Sequence, residues 1–75
     1  MSFCERLKMF RKNSGLTQKN VADEIGVSLR GYQQYEQGKF EPNIERLIRL
    51  ADIFHISVDE LIGHELTQNS LMDSK

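Results

Sequence analysis

The sequence holds little of what would point to chemistry. It has one cysteine (Cys4), one proline (Pro42), two histidines (His55 and His64) and no tryptophan. A single thiol cannot close an internal disulfide, and one thiol with two scattered histidines makes no metal cage. Cys4 reads as a small helix residue; a redox or nucleophilic role would need an activating neighbour that the local sequence does not supply. Glycine-rich phosphate loops, metal clusters and paired carboxylates are missing. No catalytic residue, metal or cofactor is therefore expected, and the chain does not read as an enzyme. The nearest nucleophile–base set is Cys4 or Ser28 with His55, and His55 falls between two helices as a loop or packing residue. No apolar run approaches the ~20 residues that cross a membrane. The start, Met1-Ser2-Phe3-Cys4-Glu5-Arg6, lacks the apolar stretch of a secretory signal. A cytoplasmic location and no membrane partner are the expectation.

Net charge is scarce too, at −1, but it is unevenly spread. Residues 1–39 hold seven Lys or Arg (Arg6, Lys8, Arg11, Lys12, Lys19, Arg30, Lys39) against four acids, a net of +3. Residues 40–75 hold three against seven, a net of −4. Such asymmetry suits one face for an anionic partner; ordinary scatter over a solvated surface would give the same count. With 75 residues, 39% of them hydrophobic, the chain has enough apolar material for one core and too much for a disordered segment. A chain of this size buries only about 60% of its unfolded surface, so stability is marginal.

What is present in quantity is helix punctuation, and it predicts five helices. Ser2-Phe3-Cys4-Glu5 is a capping box, followed by Phe3, Leu7 and Phe10 at helical spacing and ended by Gly15. Thr17 starts the second helix, with Leu16 stapled to Val21, an inward stripe of Val21, Ala22 and Ile25, and a break at Gly26. Ser28 caps the third, which runs through Tyr32 and Tyr35 to Gly38, with Val27 stapled to Tyr32. A loop over Lys39-Phe40-Glu41-Pro42 follows, because the residue before proline resists helical geometry. Asn43 caps the fourth helix, whose Ile44, Leu47, Ile48, Ala51 and Phe54, with Leu50, fit the i, i+3, i+4, i+7 pattern. Ser57-Val58-Asp59-Glu60 is a second capping box, stapled by Ile56 and Leu61 and closed by Gly63. Residues 1–63 thus form the domain. Residues 64–75 are a polar tail, loose or weakly helical, with Leu66, Leu71 and Met72 as its larger apolar residues. Within 75 residues there is no length for a separate sensor domain, so control is expected from concentration, dimerisation or a partner.

Helices two and three are both short and joined by a four-residue connection centred on Gly26. A glycine there permits the positive backbone angle that two steeply crossing helices need. Neither can bury its apolar face without a platform from the helices before and after. Gly15-Leu16-Thr17-Gln18, Val21-Ala22-Asp23-Glu24-Ile25-Gly26-Val27-Ser28, Tyr35-Glu36-Gln37-Gly38-Lys39 and Pro42 together resemble the phage-repressor (Cro-type) helix-turn-helix family. So do Leu47-Ile48-Arg49-Leu50-Ala51-Asp52 and Ile56 to Gly63, and the likeness runs without gaps over residues 5–63.

The resemblance implies an all-α, five-helix DNA-binding domain, lambda-repressor-like, whose third helix enters the major groove of double-stranded DNA. It places base-reading residues at Leu29, Arg30 and Gln34, with Gln33 beside them. Positions 30, 33, 34 and 37 share one helical face while 32 and 35 point inward. Arg30 suits a guanine, Gln34 an adenine and Leu29 a thymine methyl. Gln18 and Lys19, at the start of helix two, and Ser28 would meet phosphate at helix ends where free amides and the dipole favour an anion. Lys39 with the Gln37–Phe40 backbone would grip a second phosphate, fixing register without reading sequence. Arg11 and Glu36 occupy positions that pair as a salt bridge in some relatives, and the same pair is expected here. Two departures stand out. Gly31 sits inside the recognition helix, either for close approach to the groove or to avoid a clash. Tyr32 replaces the usual Val or Ile, as an enlarged core residue or with its hydroxyl at the edge. The implied function is a transcriptional regulator, a repressor acting as a homodimer on a palindrome, with Ile56, Val58 and Ile62 as the dimer contact. The alternative is an antitoxin or protein-interaction adaptor on the same fold, its acidic second half facing an unknown protein partner.

Overall fold

Every helix starts on a hydroxyl or amide side chain, and that sets the architecture. The computed structural model describes residues 2–63 and contains α1 (Phe3–Asn13), α2 (Gln18–Ile25), α3 (Leu29–Gln37), α4 (Ile44–Phe54) and α5 (Val58–Ile62). The N-caps are Ser2, Thr17, Ser28, Asn43 and Ser57; each is extended, and its side chain accepts from the backbone N–H three residues on. Each such bond satisfies one of the donors that a helix start leaves without an intrahelical partner. Beside the capping boxes at Ser2/Glu5 and Ser57/Glu60 stands a third, where the Asn20 side chain accepts from Thr17 N–H at 3.1 Å. The Ser/Thr-x-x-Glu/Gln pattern does not find it because a shorter amide takes the acid's place.

The connection between α2 and α3 is three residues, Gly26 to Ser28, one fewer than expected. Gly26 itself ends α2, with φ +75° and its N–H donating to the Ala22 and Asp23 carbonyls. α4 closes on a histidine instead: His55, at φ +59°, is the one non-glycine residue with positive φ among the described residues. The chain segment from 64 to 75, read above as a tail, lies outside the described residues.

The closest pairings join α1 to α3, α3 to α2, α2 to α4, α4 to α5 and α5 back to α1. They enclose a core of Leu7, Val21, Ala22, Ile25, Tyr32, Tyr35, Leu50, Ala51, Phe54 and Leu61. Phe3, Phe10, Leu16, Val27, Leu47, Ile53, Ile56 and Val58 pack round it. Phe10 stacks on Phe54 with ring centroids 6.3 Å apart. Arg6 ties the ring shut: its Nε and Nη2 donate to the Glu60 carbonyl at 3.1 and 2.5 Å, and its guanidinium lies 5.8 Å from the Phe10 ring centroid. A five-residue helix leaves most of its carbonyls unpaired, so a cation at its end both caps and docks it.

Two core expectations fail on α4. Ile44 is 75% exposed and Ile48 48% exposed, while Leu50, Ala51 and Phe54 are buried and Leu47 is half-buried. The buried stripe is centred near Leu47 and Phe54. At 3.6 residues per turn Ile48 then lies about 110° round from that centre, on the solvent side, and Leu50 takes the inward place. No helix among the described residues is long and apolar enough to cross a membrane.

Candidate nucleic-acid interface

α3 shows two chemically distinct sides. On its outer side Arg30, Gln33, Gln34, Gln37 and Lys39 line one open concavity of about 330 Å³. Leu29 stands at the head of the helix, 38% exposed. The structure therefore brings three expected reading residues, Arg30, Gln33 and Gln34, to one surface, and Leu29 does not line it. The side chains of Arg30, Gln34, Gln37 and Lys39 make no hydrogen bond or ion pair to other described residues. Phosphate-sized anions have amides to meet as well. The capping bonds at Thr17 and Ser28 use the N–H groups of Asn20 and Gly31, leaving the first amides of α2 and α3 open at their starts. At the far end, Gly38 N–H and Lys39 N–H are spent on the Tyr35 and Gln34 carbonyls at 3.2 and 3.0 Å. The expected backbone grip over Gln37–Phe40 thus reduces to the amide of Phe40 and the ammonium of Lys39.

The inner side of α3 is sealed. Glu36 is 4% exposed, and all its acceptor capacity is taken. Oε2 accepts from Arg11 Nε at 2.5 Å and from the Tyr32 hydroxyl at 2.5 Å. Oε1 accepts from Arg11 Nη2 at 3.2 Å and from Gln18 Nε2 at 3.0 Å. Arg11 also donates to the Leu16 carbonyl at 3.0 Å, so one ion pair knits α1, the following turn, α2 and α3. Burial alone would push the Glu36 carboxyl up; donation from Arg11, Tyr32 and Gln18, with the Arg11 charge, brings it below the usual carboxylate value. Burial, then the bond to Glu36, pushes the Tyr32 phenol up, so it stays a donor. Tyr32 thus serves as core and as polar partner at once: it is fully buried, and its hydroxyl reaches inward to the ion pair. The i, i+4 spacing of Tyr32 and Glu36 was the available signal, since a buried tyrosine needs a partner for its O–H.

Two expected phosphate contacts are already engaged. Gln18, half-buried, donates to Glu36 and accepts from Gln33 Nε2 at 3.1 Å. Lys19 Nζ pairs with Asp23 at 3.0 and 3.2 Å on the exposed face of α2. Gly31 has a local reason. A Cβ there would sit 3.2 Å from Ser28 Oγ, the oxygen that accepts the Gly31 N–H, and so would press on the α3 cap. Gly38 has another: φ is +79°, and an added Cβ would lie 3.3 Å from Cys4 Sγ, where α1 crosses the end of α3. Of the dimer candidates, Ile56 and Val58 are half-buried against the core, while Ile62 is 38% exposed beside a groove lined by Phe3, Glu41, Pro42 and Leu47.

Residues 7–61 match the family model described as helix-turn-helix. The chain is similar to the cryptic phage CTXphi transcriptional repressor RstR of Vibrio cholerae, 44% identical over 93% of this chain and 62% of the relative. It is also similar to the HTH-type regulator YqaE of Bacillus subtilis, 38% identical over 95% and 61%. The chain spans about three-fifths of the length of these curated relatives. Among solved structures, the P22 c2 repressor protein in complex with synthetic operator 9T superposes with a TM-score of 0.77 at 31% identity, over 83% of this chain and 94% of that one. A transcriptional regulator from Listeria innocua gives 0.78 at 35% identity, over 97% and 74%.

Proposed function

The chain belongs to the helix-turn-helix family of phage-repressor-like transcriptional regulators, and on that footing we propose that residues 1–63 form a domain that binds double-stranded DNA sequence-specifically and represses transcription by occupying an operator. α3 lies in the major groove, with Arg30 on a guanine edge, Gln34 on an adenine edge and Leu29 against a thymine methyl. Phosphates flank it. At the helix starts phosphate is met by Gln18, Lys19 and the open amides of α2, and by Ser28; at the far end of α3 another is met by Gln37, Lys39 and the Phe40 amide. The observation that carries this reading is the concavity of α3. It gathers a cation, two amides free of internal partners and a second cation on one outward face, while the ion pair behind it fixes that helix to the rest of the fold.

With few cations on the face, one copy binds weakly. The operator is therefore a palindrome bound by a homodimer, half-sites about one helical turn apart. Ile62 and the groove beside it form the contact, with Ile56 and Val58 at its edge. The name of RstR as a repressor and the operator-bound P22 neighbour support the direction of this reading. The test is selection of bound duplexes from a random pool, then titration of the selected site against salt. A two-fold symmetric site whose affinity falls linearly on a log–log salt plot is expected. Recovery of no consensus, or affinity indifferent to salt, counts against the proposal. Sedimentation that finds only one copy on the selected site removes the dimer.

A further inference from the structure

We propose that Gln33 reads a base carrying an exocyclic amino group, adenine above all, because a hydrogen-bond relay running out from the core carboxylate of Glu36 through Gln18 fixes the places of the Gln33 oxygen and its remaining N–H. The proposal deepens the DNA-binding reading and rests on it.

A free glutamine side chain offers its oxygen and its nitrogen with equal ease, since a half-turn about the last bond exchanges them. It selects a base only when something holds one arrangement. Here each link leaves the next no choice. Glu36 is ionised and fully enclosed, and an ionised carboxylate only accepts. Gln18 therefore meets it through Nε2, at 3.0 Å. That fixes the Gln18 amide with Oε1 on the other side, and this oxygen can only accept. Gln33 therefore meets Gln18 through its own Nε2, at 3.1 Å. What remains to Gln33, on the concave face shared with Arg30 and Gln34, is one acceptor oxygen and one remaining N–H. An acceptor beside a donor matches the N6 amino group and N7 of adenine; the oxygen alone matches the N4 amino group of cytosine. Guanine and thymine offer only acceptors, which the remaining N–H can meet but which leave the Gln33 oxygen without a donor. Gln18 keeps one N–H free as well, so it can hold a phosphate without releasing either neighbour. Gln18 acts in base selection as a positioning residue and Gln33 as the reader.

The test uses the full chain with three substitutions on exposed or half-buried positions: Gln33→Ala, Gln18→Met and Gln34→Ala. Gln18→Met keeps the length and packing of the side chain and removes the relay. Two readouts are taken: base preference at every position of the selected site, and the side-chain amide signals of Gln18 and Gln33 by NMR in the free protein. Expected is one base pair where the native chain favours adenine over guanine or thymine by about tenfold. Gln33→Ala and Gln18→Met both abolish that preference at the same position, and Gln34→Ala acts elsewhere. Gln18→Met also lowers affinity for all sites evenly, through its lost phosphate contact. In the free protein the two Gln33 amide protons, separated and slow to exchange in the native chain, collapse to a solvent-like pair in Gln18→Met. If Gln18→Met weakens all sites but keeps the preference at the Gln33 position, or if Gln33→Ala changes no position, the relay assignment is overturned while the DNA-binding reading stands. If the native chain selects no site, the DNA-binding reading falls first and the relay proposal with it.

Discussion

The two sides of α3 follow opposite rules. Inward, Tyr32, Tyr35 and Glu36 are buried, and the Glu36 carboxylate is saturated by Arg11, Tyr32 and Gln18. Outward, the side chains of Arg30, Gln34, Gln37 and Lys39 make no hydrogen bond or ion pair to other described residues. Residues 36 and 37 are neighbours in sequence, yet one is committed wholly to the fold and the other wholly to solvent. The contrast teaches how so small a domain can present a rigid reading helix. Polar groups that would wander are either consumed by the interior or left on the side where a ligand must supply the missing partners. Binding then orders a few exposed side chains, and the backbone beneath them is already fixed.

Removing one partner of the inner pair breaks the contrast most severely. Arg11→Met leaves the Glu36 carboxylate buried with only neutral donors, and unfolding free energy measured in urea should fall by about 3–5 kcal/mol. For a domain of this size that is most of the stability. Adding Glu36→Leu on top should recover much of the loss, because the orphaned charge goes with it. Acidification probes the same pair more gently. The folded Glu36 carboxyl sits below its ordinary value. Its contribution is therefore fully present above that ordinary value and drains away as pH falls through the lower folded one. Stability should hold from neutrality to about pH 5 and drop below it, and Glu36→Gln should flatten the drop. A pH profile identical in Glu36→Gln and the native chain would detach the carboxylate from the fold.

On the outer side the same experiment should come out reversed. Arg30→Ala and Gln34→Ala should each weaken binding to the selected duplex by about 1–3 kcal/mol and relax preference at one base pair. Neither should shift the urea midpoint by more than about 0.5 kcal/mol of stability. Equal losses in stability and affinity for Arg30→Ala would erase the distinction between the two faces.

How much of this was legible in the sequence varies with how local the determinant is. Caps are local. Ser2, Thr17, Ser28, Asn43 and Ser57 all announce helix starts within four residues, and all five helices begin there. The outward set at 30, 34 and 37 follows from one helical period and a known inward face. Periodicity was too blunt for α4, where Ile44 and Ile48 share the stripe in sequence but lie on its solvent side. The docking of Arg6 on the Glu60 carbonyl spans 54 residues and had no local trace. The Gln18–Gln33 bond depends on how α2 crosses α3, which sequence spacing does not fix. His55 falls between helices as its sequence position implies, but its left-handed conformation has no local signal, because glycine usually marks that cap. That backbone carries strain that glycine relieves. His55→Gly should raise stability by about 0.5–1 kcal/mol in thermal unfolding, with no change in duplex binding, since residue 55 lies on neither side of α3.

The smallest effect expected concerns Lys19, which stands between the two categories. It is exposed and yet paired with Asp23 one turn on. Such an i, i+4 pair at the surface stabilises a helix by about 0.2–0.5 kcal/mol, so Lys19→Met should barely move the urea midpoint. In the complex a nearby phosphate competes with Asp23 for the same ammonium. If the phosphate wins, Lys19→Met lowers the slope of log affinity against log salt by about 1 and leaves base preference unchanged. Asp23→Asn then strengthens binding, because it frees the lysine and removes a like charge from the phosphate side. If neither substitution alters the salt slope, Lys19 belongs to the fold's surface chemistry with Asp23, and the phosphate at the start of α2 is held by Gln18 and the helix amides alone.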